Sequence, residues 1–300
     1  MFMRIFDCFM FYDEEMMLDL RLNYLNDYVD KFVIVESSYT HSGESRKLLF
    51  NEKKFEKFRD KIIYLVLSEQ PENLLQIKDS DSFNKKNSGY HLNALKRENF
   101  QRNAIIKGLA SAKPDDLIII SDVDEIPNLE NNELTNCKNK IILFKQKIYN
   151  YKFNLELKSH EWFGSRACSK NNLISPQWLR NIKPKNYPLW RLDVFFSNNK
   201  YINIKFIENG GWHFSNLKSP AELDKKMRTF LHHREYDLNP LGEKKIQDII
   251  ENKKTIYNLK ADKKQDKLDG AQSLTISNIN ELPQYIQKNK DKYIEWLETT

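Results

Sequence analysis

Two rhythms of apolar and polar residues alternate along the first 125 positions of the chain. Continuous apolar runs, MRIFDCFMF (3–11), FVIVES (32–37), KIIYLVL (61–67) and DLIIIS (116–121), predict buried strands. Between the first two, Met17, Leu18, Leu22, Leu25, Tyr28 and Val29 recur at helical spacing and predict a helix over 14–29. A second helix is predicted over 91–110, HLNALKRENFQRNAIIKGLA, ended by Pro114 and Asp115. The polar, irregular stretch 68–90 reads as a surface loop. Strand and helix in alternation predict a mostly parallel sheet covered on both faces, which places ligands outside the carboxyl ends of the strands.

The rhythm changes in the second half. KIILFKQKIYNYKFNLEL (140–157) and KYINIKFI (200–207) predict long, antiparallel strands, separated by an aromatic, basic region containing Trp162, Trp178, Tyr187 and Trp190. GGWHFS (210–215) precedes a helix predicted from Pro220 to His232, then a lysine-rich segment (244–267) and an amphipathic final helix beginning LPQYIQ. No repeat and no Gly/Ser- or Pro-rich linker divides the chain. One domain spanning 1–300, with 240–300 as a C-terminal helical extension, is the expectation.

Charge and cysteine content narrow the partners. The net charge of +6 comes from 48 basic and 42 acidic residues spread along the chain, without a concentrated basic stripe, so nucleic acid is not expected as a partner. The three cysteines, Cys8, Cys137 and Cys168, are widely spaced and form no disulfide framework. The apolar N-terminus is interrupted by Arg4, Asp7 and Asp13, and no run of apolar residues is long enough to span a bilayer. A cytoplasmic protein is the expectation.

The chemistry concentrates in LIIISDVDEIP (117–127), where an apolar strand runs into Asp122, Asp124 and Glu125. In extended geometry residues i and i+2 point the same way, so Asp122 and Asp124 would converge and repel unless a cation lies between them. Oxygen ligands suit Mg²⁺ or Mn²⁺, which commonly hold a diphosphate as well. A solvated turn after a strand is the plainer alternative. Two enzyme classes place DxD after an apolar strand: phosphohydrolases of the haloacid dehalogenase type, and nucleotide-sugar glycosyltransferases of the GT-A type. The motif lies after several strands and is followed by Glu125, which favours the second. Gly210 and Gly211, in a chain with eight glycines, mark close backbone approach beside His213, whose imidazole could complete a metal shell. A core histidine is the alternative.

Taken in order, FVIVESSYTHSGESRKLLF, SDVDEIP and GGWHFS resemble glycosyltransferase family 17 over about residues 3–235, and weakly over the last helix. The resemblance implies a GT-A-like α/β fold with a mostly parallel sheet and an antiparallel second half. It also implies a divalent metal, a UDP-sugar donor such as UDP-N-acetylglucosamine, a glycan acceptor and inversion at the anomeric carbon. Asp122, Asp124 and Glu125 match the family's acidic motif, His213 its GWH motif, and Glu36 and Gly43 the acid and glycine after the second strand. Animal members carry a membrane anchor and a secretory setting that this sequence lacks, which favours a bacterial or viral surface glycan, or its lipid-linked precursor, as acceptor.

Roles follow as expectations. Asp124 and His213 are the leading metal ligands, and Asp122 binds the metal or the donor ribose. Glu125 is the leading catalytic base, with Glu161 in HEWFG as its rival. Arg97 or Arg102 reaches the diphosphate, the alternative being a Glu98–Arg102 ion pair on a solvated helix face. Glu36 accepts from ribose or uracil, or is a turn acid. Trp162, Trp178 and Trp190 suit a sugar-stacking groove or core packing. The last helix, with Leu282, Ile286, Tyr293 and Leu297 near one face, docks on the domain or makes weak peripheral contact with a membrane.

Overall fold

Strands whose residues are apolar on both faces can be satisfied only inside a covered sheet, and the computed structural model builds one. It describes residues 3–299 apart from 131–133, 135–139, 189, 229–235, 237–239 and 257–271. In chain order the first half runs β1 (Ile5–Phe11), α1 (Glu15–Leu25), β2 (Lys31–Ser37), β3 (Ile62–Leu67), α2 (Phe83–Asn103) and β4 (Leu117–Asp122). These are followed by β5 (Glu125–Pro127), β6 (Ile141–Phe144), β7 (Lys147–Asn150), β8 (Leu155–Glu156), β9 (Arg166–Ser169) and α3 (Pro176–Asn181). The remainder is β10 (Ile204–Ile207), β11 (Gly211–Ser215), α4 (Pro220–Met227), α5 (Glu243–Glu251), β12 (Thr275–Ile276) and α6 (Gln284–Lys288).

Seven strands form the main sheet in the order β10-β6-β9-β4-β1-β2-β3. β4, β1, β2 and β3 are parallel, as the alternation predicts, and β9 enters antiparallel between β4 and β6. A second sheet, β12-β8-β7-β11-β5, packs beside it. Two apolar clusters cover the main sheet: Phe9, Phe32, Ile34 and Ile119 face α1 on one side, and Phe6, Val33, Val35 and Ile118 face the α2 side. That division follows from the two-residue repeat of a strand.

Several expectations are corrected. The stretch 140–157 is not one strand: β6 lies in the main sheet, and β7 and β8 lie in the second. The chain breaks at Lys145, whose backbone bonds Ile207 and Gly210 instead of continuing a ladder, and again at Tyr151, whose φ is +64°. β10 pairs with β6 in parallel, not antiparallel. α2 starts at Phe83, inside the expected loop, because the Ser82 side chain caps it by accepting from the Lys85 N–H. It yields to a 3₁₀ turn at Ala104–Leu109. The final helix is a short α6 followed by a 3₁₀ turn over Lys290–Trp296. Leu282, Ile286 and Tyr293 are buried in the α1 cluster, so this apolar face is closed to a membrane. Lys292 also pairs with Asp19 of α1. Cys137, the end of the helix predicted to reach His232, and most of the lysine-rich segment's second half lie outside the described residues.

Candidate active site

A cleft of about 470 Å³ opens where the parallel strands end. Met10, Phe11 and Tyr12 reach it from the end of β1, Tyr39, Thr40 and His41 from the loop after β2, and Asp122 and Asp124 from the end of β4 and the turn after it. Its far wall carries Trp162, His213 and Lys226. This is the position that the topology of an open parallel sheet gives to a ligand.

The acidic turn is held by two arginines that the sequence pattern did not single out. Arg21 of α1 is fully buried and forms two bonds to Asp7, of 2.6 and 2.7 Å. Its Nη1 also donates to the carbonyls of Asp122, Val123 and Glu125, at 3.1, 3.3 and 2.7 Å. A buried guanidinium needs all these acceptors, and in taking them it fixes the backbone of the turn. Arg180 of α3 works on the side chains. It donates to Asp122 Oδ2 at 2.9 Å and to Glu125 Oε2 and Oε1 at 2.7 and 3.0 Å. Burial would lower the pKa of Arg180, but the charges of Asp122 and Glu125 outweigh burial and raise it.

The three acids therefore have three different situations. Asp122 accepts from Arg102 on Oδ1 at 3.1 Å and from Arg180 on Oδ2. Burial pushes its pKa up, but the two arginines prevail and hold it well below the usual carboxylate range. With both oxygens engaged by arginine, Asp122 does not suit the metal role; it still lines the cleft, and a carboxylate has lone pairs left to accept a ligand hydroxyl. Glu125 has no exposure and does not line the cleft. It accepts from Arg180, from Trp162 Nε1 at 2.8 Å and from the Asp122 N–H at 2.8 Å, so it braces the wall and is not placed to act as a base. Asp124 faces the cleft opposite His213, with Oδ2 3.8 Å from Nε2. Burial raises its carboxyl to about 6, the charges of His213 and Lys226 pulling the other way.

β11 supplies the histidine. Its pairing with β5 sets His213 across from Glu125, and Gly211 makes that approach feasible. Gly211 has φ +126°, and a Cβ there would lie 2.1 Å from the Ile126 carbonyl oxygen. The His213 ring stacks on Trp162 at 4.7 Å, and its Nδ1 is buried without a hydrogen-bond partner. Among the described residues no three His, Cys, Asp or Glu side chains converge as a ready metal site. A carboxylate and an imbalanced imidazole do converge, and that pair fits a hard divalent ion that keeps water and takes its other oxygens from a phosphate.

The other expected site residues are placed as follows. Arg102 lines the cleft and bonds Glu98 at 2.8 Å as well as Asp122, so the intrahelical pair and the cleft contact coexist. Arg97 does not reach the cleft. It donates to Gln70 Oε1 and to the carbonyls of His41 and Ser42, and burial lowers its pKa. Gly43, at φ +106°, lets that guanidinium pass, since a Cβ would come within 2.6 Å of Arg97 Nη2. Both therefore shape the loop that carries His41. Glu36 is buried and accepts from Arg46, the N–H groups of Leu49 and Phe50, and Tyr64 Oη, so it anchors the 46–50 segment and is not available to a nucleotide. Glu161 is a surface acid paired with Lys145 at 2.6 Å and lies outside the cleft. Of the tryptophans, Trp162 lines the cleft, Trp178 packs on the α2 side and Trp190 is exposed.

Comparison with known proteins gives a sequence match to "Glycosyltransferase family 17" over residues 1–176. The chain is 34% identical over 115 residues to the human and rat beta-1,4-mannosyl-glycoprotein 4-beta-N-acetylglucosaminyltransferases, a stretch covering 37% of this chain and 19% of each relative. It thus spans under a fifth of the length of these relatives. Among solved structures, HddC from Yersinia pseudotuberculosis overlays with a TM-score of 0.33 at 10% identity, covering 69% of this chain and 90% of that one. The inositol-1-phosphate CTP transferase from T. maritima overlays with a TM-score of 0.33 at 12% identity, covering 82% and 97%.

Proposed function

Because the chain belongs to glycosyltransferase family 17, we propose that its cleft transfers N-acetylglucosamine from UDP-N-acetylglucosamine to a glycan hydroxyl, with inversion, on a GT-A-like fold. The observation that carries this reading is the Asp124–His213 pair at the carboxyl end of the parallel strands, inside the cleft. The alternative of a DxD phosphohydrolase needs Asp122 as a nucleophile, whereas both its oxygens receive arginines. Asp124 and His213 would hold Mg²⁺ or Mn²⁺, which supplies Lewis-acid neutralisation of the departing diphosphate.

The chain's own groups do the rest. Arg102 and Lys226 line the cleft and bring positive charge to the region where the diphosphate gains negative charge. Asp122 accepts a hydroxyl of the donor. Trp162, braced by Glu125 and stacked on His213, offers the flat apolar surface that a sugar ring packs against. Inversion is assisted by a general base that takes the acceptor proton, a role a cleft carboxylate suits. Among the acids lining the cleft, Glu98 and Asp122 bond arginine and Asp124 faces His213. Glu14 is held through Oε2 by the Tyr12 and Asp13 N–H groups, and the base's role falls to it.

The test is UDP release from a panel of UDP-sugars, with Mn²⁺, Mg²⁺ or chelator, for the wild type, Asp124→Ala and His213→Ala. Metal-dependent turnover of UDP-N-acetylglucosamine, lost in both variants, is the expected result. Turnover that survives chelation, or that both variants retain, would remove the metal assignment. Turnover of a different UDP-sugar would replace the donor.

A further inference from the structure

The segment following α3 puts large apolar side chains into solvent. Trp190 is 76% exposed, Leu192 70%, Phe195 63% and Phe196 91%. Single exposed apolar residues are ordinary, but four within seven positions form a patch that water disfavours. The patch is not a loose end. A short 3₁₀ turn at Leu192–Val194 buries Val194, Trp178 Nε1 donates to the Asn198 carbonyl at 2.7 Å, and the Lys183 N–H donates to the Asn199 carbonyl at 2.7 Å. Inward contacts thus fix the segment while its largest side chains stay outside.

The charge around the patch is mainly positive. Residues 183–200 carry Lys183, Lys185, Arg191 and Lys200 against one acid, Asp193. Asp193 bonds Arg191 at 2.6 Å and Lys200 at 2.7 Å, leaving the segment with a net positive charge. Lys185, Arg191 and Lys200 lie within 5.8–5.9 Å of the Tyr187 ring centroid. Aromatic and aliphatic side chains ringed by lysine and arginine match the boundary of an anionic bilayer, where apolar groups enter the acyl region and cations meet phosphate. A second copy of this chain would have to present an acidic, apolar counterpart. A glycan would use ring faces flanked by hydrogen-bonding groups, not the ends of Leu192 and Phe196.

We propose that the segment 183–200 docks the protein on an anionic lipid surface, inserting Trp190, Leu192, Phe195 and Phe196 between headgroups. α3 precedes this segment directly and its Arg180 holds Asp122, so docking would set the cleft at a fixed height above the bilayer. Docking here does not depend on which reaction the cleft performs.

The experiment is co-sedimentation of the full chain with phosphatidylcholine vesicles, with and without phosphatidylglycerol, at low and high salt. Binding to the anionic vesicles only, weakened by salt, is expected. It should fall by about tenfold or more in Trp190→Ser/Phe196→Ser, through lost burial, and in Lys183→Glu/Lys185→Glu, through lost charge. Because these side chains project outward, circular dichroism and basal UDP release should match the wild type in both variants. A blue shift of tryptophan emission on adding anionic vesicles, absent in Trp190→Phe, would locate the insertion. No vesicle binding, or binding that neither double variant alters, would overturn the proposal. So would a wild-type dimer that Trp190→Ser/Phe196→Ser converts to monomer without any change in vesicle binding.

Discussion

Arg180 Nη2 lies 2.9 Å from Asp122 Oδ2, and its Nη1 lies 2.7 Å from Glu125 Oε2, so one guanidinium separates two carboxylates that would otherwise repel. Arg180→Met should cost about 3 kcal/mol or more, as expected when one partner of a buried pair is removed. Urea denaturation would measure it. The double variant Arg180→Met/Glu125→Gln should recover part of that loss, which a simple packing defect would not show.

The two acids once paired as rival bases separate cleanly. Glu161→Gln should leave kcat within about twofold, since surface substitutions away from a site change little. Glu125→Gln should lower both the midpoint of thermal unfolding and kcat, because it weakens the support of Trp162 and Arg180. Glu14→Gln should lower kcat by about 100-fold or more with little change in stability, as loss of a general base does. Steady-state kinetics with each variant would distinguish the three, and a Glu14→Gln enzyme with wild-type kcat would return the base assignment to another residue.

Burial lifts the Asp124 carboxyl to about 6, above its value in an unfolded chain. A group raised in the folded state favours the fold fully at pH below the ordinary aspartate range, and that contribution is lost as pH rises through about 6. In chelator, Asp124→Asn should therefore be more stable than the wild type at about pH 8, by up to ~3 kcal/mol, and equal to it near pH 4. Thermal unfolding across pH would check the sign. A variant less stable than wild type at high pH would show that Asp124 is held by favourable contacts in its ionised form.

Gly43→Ala tests the loop after β2. The positive φ disfavours any side chain, and the added methyl meets an Arg97 guanidinium pinned by three acceptors. The expected loss is ~1–3 kcal/mol, with KM for the donor raised more than kcat is lowered, because His41 and Thr40 move with the loop. Unfolding and kinetics on the same preparation would measure both.

The four parallel strands β1, β2, β3 and β4 were legible because strands in a covered parallel sheet are nearly all apolar, and these are, even β3 at the edge. That Asp122, Asp124 and His213 line one cleft was legible because local motifs carry them. What escaped was non-local. Arg21 and Arg180 sit in helices where an arginine ordinarily faces water, and only the fold brings them to the acidic turn. Glu36 reads as a ligand acid because nothing near it in sequence reveals that Tyr64 and the 46–50 segment claim its oxygens. The run 140–157 misled because apolar periodicity cannot say which of two sheets a strand joins, and a left-handed Tyr151 leaves no mark in the sequence.

The register that sets His213 opposite Glu125 joins positions far apart along the chain. The pairings among β1, β2, β3 and β4 join residues of the first 122 positions, whereas the cleft is complete only when β11 arrives. During synthesis the partners of β1–β4 are thus all present before the residues that complete the cleft and the apolar cover of the sheet. The family match covers residues 1–176, and Arg180, His213 and Lys226 all belong to the part made afterwards. The order of manufacture completes the cleft lining only once the chain through Met227 has emerged.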